Sequence, residues 1–534
     1  MIAFANRLII VLVSLLAAAC SNNNETMPER GHLVIGAADE PQTLDPQYGF
    51  FGQIVQATSA IIYESLFYRE LDGVTIYPVL AESYRYRDPS TLEVTLKQGI
   101  KFSDGSDLDA DDVVFTFNRL PNPPGASIPI KFIANLLDRV EKVDRYTVLF
   151  HLTEPVLDFP SYLADAMILS SEIGPDASPS DFNTLGAAIG TGPYRPISWK
   201  RGDAIIYEAN PHYWGAKPAW EKVTLKFIPN HSARIAALLS GDIQLTNGIP
   251  AADIPRLADS ENIALVGRDS NRALYFHLDI GREISPHITD KSGNPIPNPL
   301  RDLRVRQALS ISLDRQLIVD KLLEGFASPA NQWLAKGYMG HNATLPEITV
   351  DVDRAKQLLT EAGYPDGFKV VLHGTANLYN ADVRVLQAMA SMWAKIGIDV
   401  DVEALPPSIY WGRWFQKEFS ISLSSYGLFS YQIIPIVRAT VVSDAYDNVG
   451  QYSNAEVDAL LDKIGTSPIE ERDGIMQEVS RLLHDEVALI PIYHFNYLFA
   501  YQNGVLTYDP TQNLKEIQSI RAFPVKDASQ GAAE

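Results

Sequence analysis

Thr91-Leu92-Glu93-Val94-Thr95-Leu96, followed after Lys97 to Gly105 by Asp109-Ala110-Asp111-Asp112-Val113-Val114-Phe115, is the stretch from which the fold is read. Apolar and polar side chains alternate in its first six residues, so Leu92, Val94 and Leu96 share one face of a half-buried strand. Gly105 permits a tight turn, and Asp109 can cap a helix whose first turn carries Asp111 and Asp112, where the helix dipole favours acids. A strand, a turn and a capped helix in close succession predict a mixed α/β body.

The same pattern continues outward. Leu33-Val34-Ile35-Gly36 reads as a short buried strand, Tyr146 to Leu152 as an alternating one, and Lys222 to Phe227 places Val223, Leu225 and Phe227 on one face. Asp351 precedes Val352, Ala355, Leu358, Leu359 and Ala362, an apolar stripe of helical spacing that stops at Gly363 with Pro365 beyond. Asp382 to Trp393 and Asn454 to Leu461 read as further amphipathic helices. No long linker and no solenoid period of about 20 to 50 residues interrupts the body, so its domains must be joined by short crossings.

The chain has 534 residues, a length that suits about two to four domains. Its 44 Lys plus Arg against 65 Asp plus Glu leave a formal charge of −21, which repels phosphate backbones and argues against nucleic-acid binding. A single cysteine, Cys20, excludes an internal disulfide framework, a zinc ribbon and a cysteine-ligated cluster.

That cysteine ends an export signal over residues 1–19. Arg7 precedes the apolar run Leu8 to Leu16, and Ala17-Ala18-Ala19 supplies the small residues of a cleavage point. The alternative is an uncleaved anchor, for which the run is short against the about 20 residues that span a bilayer. Cysteine after three alanines resembles the bacterial lipobox, in which the thiol receives a diacylglycerol. Ser21 follows, not the aspartate that favours inner-membrane retention, so the choice of membrane stays open. Residues 20–31 are polar and read as a tether.

The chain lacks a G-x-S-x-G elbow, a P-loop, an H-E-x-x-H helix and a G-x-G-x-x-G loop. Gly190-Thr191-Gly192 is followed by Pro193 and reads as a turn, and His373 reads as a hydrogen-bonding surface or hinge residue. The acids Asp104, Asp107, Asp109, Asp111 and Asp112 lack the terminal Glu of a calcium loop and read as a solvated turn plus helix cap. Aromatic residues are more informative. Tyr48, Phe50 and Phe51 flank Gly49; Tyr410, Trp411 and Trp414 form a second group, and Tyr426, Phe429 and Tyr431 a third. Their spacing is too irregular for a helix stripe, and rings on turns suit the wall of a concave small-molecule site, although plain core packing is the alternative.

Further blocks carry a family resemblance. Glu40-Pro41-Gln42-Thr43-Leu44-Asp45-Pro46, Ala81-Glu82-Ser83, the Leu96 to Phe115 block, Gly190-Thr191-Gly192-Pro193-Tyr194, Asn210-Pro211-His212-Tyr213-Trp214-Gly215, Val305-Arg306-Gln307-Ala308-Leu309 with Asp314-Arg315, and Glu361 to Phe368 occur in order. In these the chain resembles the large extracellular solute-binding proteins of ABC importers, family 5, which includes oligopeptide-, dipeptide- and nickel-binding proteins. The resemblance implies an α/β fold of the type II periplasmic-binding-protein kind, with two lobes, a hinge and an inserted third domain. Lobe one is expected at 32–67, 186–271 and 487–525, the insert at 68–185, lobe two at 272–486 and a tail at 526–534. Crossings are expected near Arg272 to Leu278 and Leu489 to Tyr493.

In peptide-binding relatives an aspartate after a Trp-bearing strand grips the ligand's α-ammonium. Matched through Phe419-Ser420-Ile421-Ser422, this chain has Tyr426 in the Trp position and Phe429 in that of the aspartate. A ring cannot replace a full charge in a dry cleft. Either a shifted acid such as Asp444 or Asp447 takes over, or the solute is neutral or anionic. Tyr48, Phe50, Tyr275, Trp411, Tyr426, Phe429 and Tyr431 are the candidate walls, and Arg438 is the candidate cation.

The resemblance thus implies a monomeric receptor in the periplasm or cell envelope, anchored by lipidated Cys20. It would take a peptide-like or other small polar solute, hand it to ABC permease subunits, and use no cofactor or metal. A surface hydrolase on the same scaffold is the alternative. A nickel-chelate receptor would ask for a histidine between Tyr410 and Tyr452, where none occurs. Replacement Cys20→Ser is expected to release the body from the membrane fraction, and equal retention of both forms on fractionation would refute lipidation.

Overall fold

The computed structural model describes residues 31–48, 53–70, 75–124, 131–376, 378–426, 433–465, 467–508 and 522–524. A twelve-stranded mixed sheet runs through most of it. At its centre two long strands, Ile263–Leu278 and Leu489–Gln502, pair antiparallel with each other. Outside the first lie Ile421–Tyr426, then Lys369–Thr375 with Asp399–Leu405. Outside the second lie Leu245–Asn247, His32–Ala37, Lys222–Phe227, Ala204–Ala209 and Tyr194–Lys200. The expected crossings fall within the two central strands. Among the described residues no helix is long and apolar enough to cross a membrane.

A separate four-stranded antiparallel sheet contains Thr91–Leu96 between Ala81–Asp88 and Thr147–Leu152, with Leu137–Asp144 at the edge. Leu92, Val94 and Leu96 are buried against Val113 and Phe117 of the helix Ala110–Arg119, as the alternation predicts. The cap also forms as read: Asp109 accepts from the Asp111 amide at 2.8 Å, while Asp112 accepts from the Asp109 amide at 2.9 Å and the Ser171 amide at 2.8 Å. The other acids of this stretch are similarly committed, Asp107 to Lys101 and Arg145, Asp104 to Ser106.

Separate apolar clusters underlie these sheets. One is built from residues between Leu66 and Ile168, a second from Leu33, Ile62, Tyr207, Val223 and their neighbours, and two more from residues between Ala273 and Tyr493. The helices Val352–Glu361, Asp382–Ala394 and Ala455–Ile464 match the periodic stretches, with Asp351 and Asn454 as their predicted or observed caps where side chains bond the first turn. One expectation fails. Tyr410, Trp411 and Trp414, too irregular for a stripe by eye, lie on the helix Pro407–Phe415, where Tyr410 and Trp414 stand one turn apart and both face inward.

Several sequence blocks meet at one junction. A Cβ on Gly190 would lie 2.1 Å from the Ile62 carbonyl oxygen, so this glycine turn exists to let the chain pass the helix Gln53–Ile62. Asn210 donates to the Gly192 carbonyl at 2.8 Å, and the Trp214 indole donates to Glu64 at 2.7 Å. Burial pushes the Glu64 carboxyl up to about 7, against the donation from Trp214.

The opening block is tied down by a buried ion pair. Arg119 donates to both Asp45 oxygens at 2.6 and 3.2 Å, to Gln47 at 2.7 Å and to the Ala177 carbonyl at 2.9 Å. Both charged side chains are almost wholly buried. Replacement Asp45→Ala leaves that guanidinium without its counter-charge, so an urea titration should show a loss of about 3 to 5 kcal/mol. Asp107→Ala, which breaks an exposed pair with Lys101, should leave the curve nearly unmoved.

Candidate functional site

Three strands, Lys369–Thr375, Asp399–Leu405 and Ile421–Tyr426, run parallel, so their carboxyl ends open on one edge of the sheet. Such edges are where α/β sheets place ligands. The strand Ile263–Leu278 runs against them and pairs Ala273 with Tyr426, which brings the residues just before Ala273 to the same edge.

There the central ladder breaks. Asp269 faces Asn496 and Ala273 faces His494, so one strand carries more residues than its partner across the gap. The sequence Ser270-Asn271-Arg272 makes this possible locally: the buried Ser270 hydroxyl accepts from the Arg272 amide at 3.1 Å, replacing a ladder bond with a short turn. Arg272 then projects onto the edge. Its Nε donates to the Ser425 hydroxyl at 2.8 Å. Its guanidinium carbon lies 5.1 Å from the Tyr379 ring and 5.3 Å from the Phe495 ring. Those two rings are 6.0 Å apart. The three distances form a nearly equilateral triangle, so both rings cover the same side of the cation and form a corner beneath it.

Tyr379 is positioned by Asp382, whose carboxylate accepts from the Thr375 hydroxyl at 2.9 Å and from the amides of Leu378, Tyr379 and Val383. Burial raises the Tyr379 phenol, with Arg272 opposing the shift, so the hydroxyl stays protonated.

Beneath the edge runs a chain of rings. Trp333 meets Tyr275 at 5.2 Å, Tyr275 meets His277 at 5.3 Å, and His277 meets Trp414 at 5.5 Å. Trp414 meets Trp411 at 5.5 Å, Trp411 meets Tyr410 at 5.2 Å, and Phe419 stacks between Tyr410 and His373. His373, expected at a surface or hinge, is wholly buried, because its strand is covered on both faces. Its Nε2 lies 2.9 Å from Glu403. Burial, then the neighbouring His287, lowers its pKa to about 4, and burial lowers that of His277 to about 3.

Of the candidate site residues, the structure brings Tyr275 and Trp411 into this one ring chain. Tyr275 is wholly buried, whereas Trp411 is half-buried. The backbone of Tyr426 ends the strand next to Ser425, and its side chain lies outside the described residues. Phe50, Phe429, Tyr431 and Cys20 also lie outside them. Tyr48 is on the opening loop, where its amide donates to the Asp45 carbonyl at 3.2 Å. Arg438 is held elsewhere. It pairs with Asp462 at 2.8 Å and lines a cavity of about 570 Å³ shared by Asp158, Tyr162, Leu461 and Arg472. Arg472 bridges that cavity to Asp158 at 2.6 Å. Sequence reasoning missed Arg272, Tyr379, Ser425 and Phe495. The one available signal was a lone cation at the head of an otherwise apolar crossing.

The profile of the bacterial extracellular solute-binding proteins, family 5, matches residues 75–439, and the chain belongs to this family. It is 28% identical over 474 residues to the glutathione-binding protein GsiB of Salmonella paratyphi A, covering 86% of this chain and 88% of that one. It is 25% identical over 519 residues to the heme-binding protein A of Haemophilus influenzae, covering 89% and 88%. In fold it matches HbpA2 from Haemophilus parasuis with a TM-score of 0.78 at 23% identity, over 92% of this chain and 100% of that one. The expected periplasmic-binding-protein architecture is therefore the observed one.

The depressed histidines set a direction for pH dependence. An unfolded His277 takes up a proton near its ordinary pKa of about 6.5, whereas the folded one resists until about 3. Its contribution is therefore complete above about pH 6.5 and shrinks as the pH falls toward 3. Glu64, raised to about 7, acts in the opposite sense and loses stability as the pH rises through that value. Comparing wild type with His277→Gln cancels Glu64. The difference in melting temperature should be larger at about pH 7.5 than at about pH 5. A pH-independent difference would show that His277 does not titrate as stated.

Proposed function

We propose that this protein is the solute receptor of an ABC importer, closing two lobes around a peptide-like or other small polar solute and delivering it to a membrane permease. The supporting observation is the pair of long central strands whose ladder breaks at Ser270–Arg272, beside the carboxyl edge of the parallel strands. Lobe one then comprises 32–67, 186–271 and 487–525, lobe two 272–486, and the insert 68–185. The broken ladder offers rotation a place to be absorbed without unpairing the sheet. Relatives named for glutathione, heme and dipeptides favour binding without turnover and a periplasmic location. Lipidation at Cys20 and a monomeric state belong to the same reading.

Denaturing the purified protein and identifying the released compound by mass spectrometry supplies the probe. On adding that compound back to stripped protein, the radius of gyration from small-angle scattering should fall while circular dichroism stays constant, and the compound should be recovered unchanged. Saturation without compaction would overturn the receptor reading, and a chemically altered product would favour the hydrolase.

A further inference from the structure

We infer that Arg272 is the anion anchor of the cleft, so that the solute presents a carboxylate to it. This rests on the receptor reading and specifies its ligand chemistry.

A guanidinium placed for structure alone is normally matched by a carboxylate or by several carbonyls, as Arg119 and Arg315 are here. Arg272 is treated differently. Among the described residues no carboxylate forms an ion pair with it, and its side-chain acceptors are neutral, the Ser425 hydroxyl and the Tyr379 hydroxyl. The acid that opens the neighbouring helix, Asp382, is consumed by the Thr375 hydroxyl and three backbone amides, which leaves it little capacity to neutralise the cation. Tyr379 and Phe495 cover one side of the guanidinium, fixing its plane at small desolvation cost. Ser425 takes Nε, and among the described residues no carboxylate competes for the terminal nitrogens, whose planar fork matches a carboxylate.

The location fits. Arg272 is half-buried within the ladder break, next to Ala273, which pairs with Tyr426 at the end of a parallel strand. A protein of charge −21 repels anions at long range, so an anionic solute needs such a local cation inside the screening length. The replacement of the expected ammonium-binding aspartate by Phe429 points the same way.

The test is calorimetry on the full chain with glutathione, dialanine, trialanine and galacturonate, set against the amidated forms of the three peptides and against galactose. Wild type should prefer an acid over its neutral partner by about ten- to a hundredfold, the range for a hydrogen bond to a charged group. Arg272→Met should abolish that preference while leaving affinity for the neutral partner within about twofold. Arg272→Lys, which keeps the charge but not the fork, should fall between. If Arg272 only packs the corner, the Met variant will melt at lower temperature yet keep the acid preference, and the proposal is then wrong. Equal affinity for acid and neutral forms in wild type, or no binding by any acid, overturns it as well. Compaction with the retained solute, measured separately, decides whether the receptor reading survives that failure.

Discussion

Everything in the large sheet hangs from the mutual pairing of Ile263–Leu278 and Leu489–Gln502. Each strand bonds the other on one side and carries a different half of the sheet on its free side, Ile421–Tyr426 for the first and Leu245–Asn247 for the second. A one-residue slip in this ladder would turn buried Leu274 and Phe276 to the opposite face, so register is strongly held where both faces are covered. The ladder shifts register twice, at Ser270–Arg272 and between Leu274 and Tyr275, and the first shift inserts the larger number of unpaired residues. The first of these departures from strand geometry is what places Arg272 beside Ser425.

The blocks of sequence that identify the family hold other junctions. Asp45 with Arg119, Gly190 against Ile62, Asn210 with Gly192, and Trp214 with Glu64 join the opening loop, the helix Ala110–Arg119 and the first half of the large sheet. Arg306 and Arg315 do comparable work in the second half, donating to the Glu486 carbonyl just before the other central strand and to the Pro491 carbonyl within it. Burial lowers the Arg315 pKa to about 10, which still leaves it charged at neutral pH. These are charges and amides buried with their partners, and they specify how the pieces dock rather than what the protein binds.

Between docking and binding lies the aromatic chain from Trp333 to His287. It packs the underside of the edge with large side chains of low rotamer entropy, so the groups above it rest on a stiff floor. The cost is that His277 and His373 are held neutral by desolvation.

The sequence alone determined the local elements and the family. Alternation in Thr91–Leu96 and Lys222–Phe227, the Asp109 and Asp351 caps, and the glycine turn at Gly190 depend on neighbours within a few residues, and each formed as read. Three-dimensional packing decided what local spacing could not. By spacing Trp411 reads as a turn residue, but its helix, Pro407–Phe415, presents rings on more than one face, Tyr410 against Phe419, Trp414 against His277, and Trp411 against both of them. Arg438 is near the third aromatic group in sequence, but the helix Ile433–Val441 turns it toward Asp462. Arg272 lies more than a hundred residues from Tyr379, Ser425 and Phe495, and becomes a site only when antiparallel pairing brings Ala273 opposite Tyr426. Secondary structure is written in short-range pattern, whereas a binding edge is assembled from strand ends whose adjacency is a property of the closed sheet.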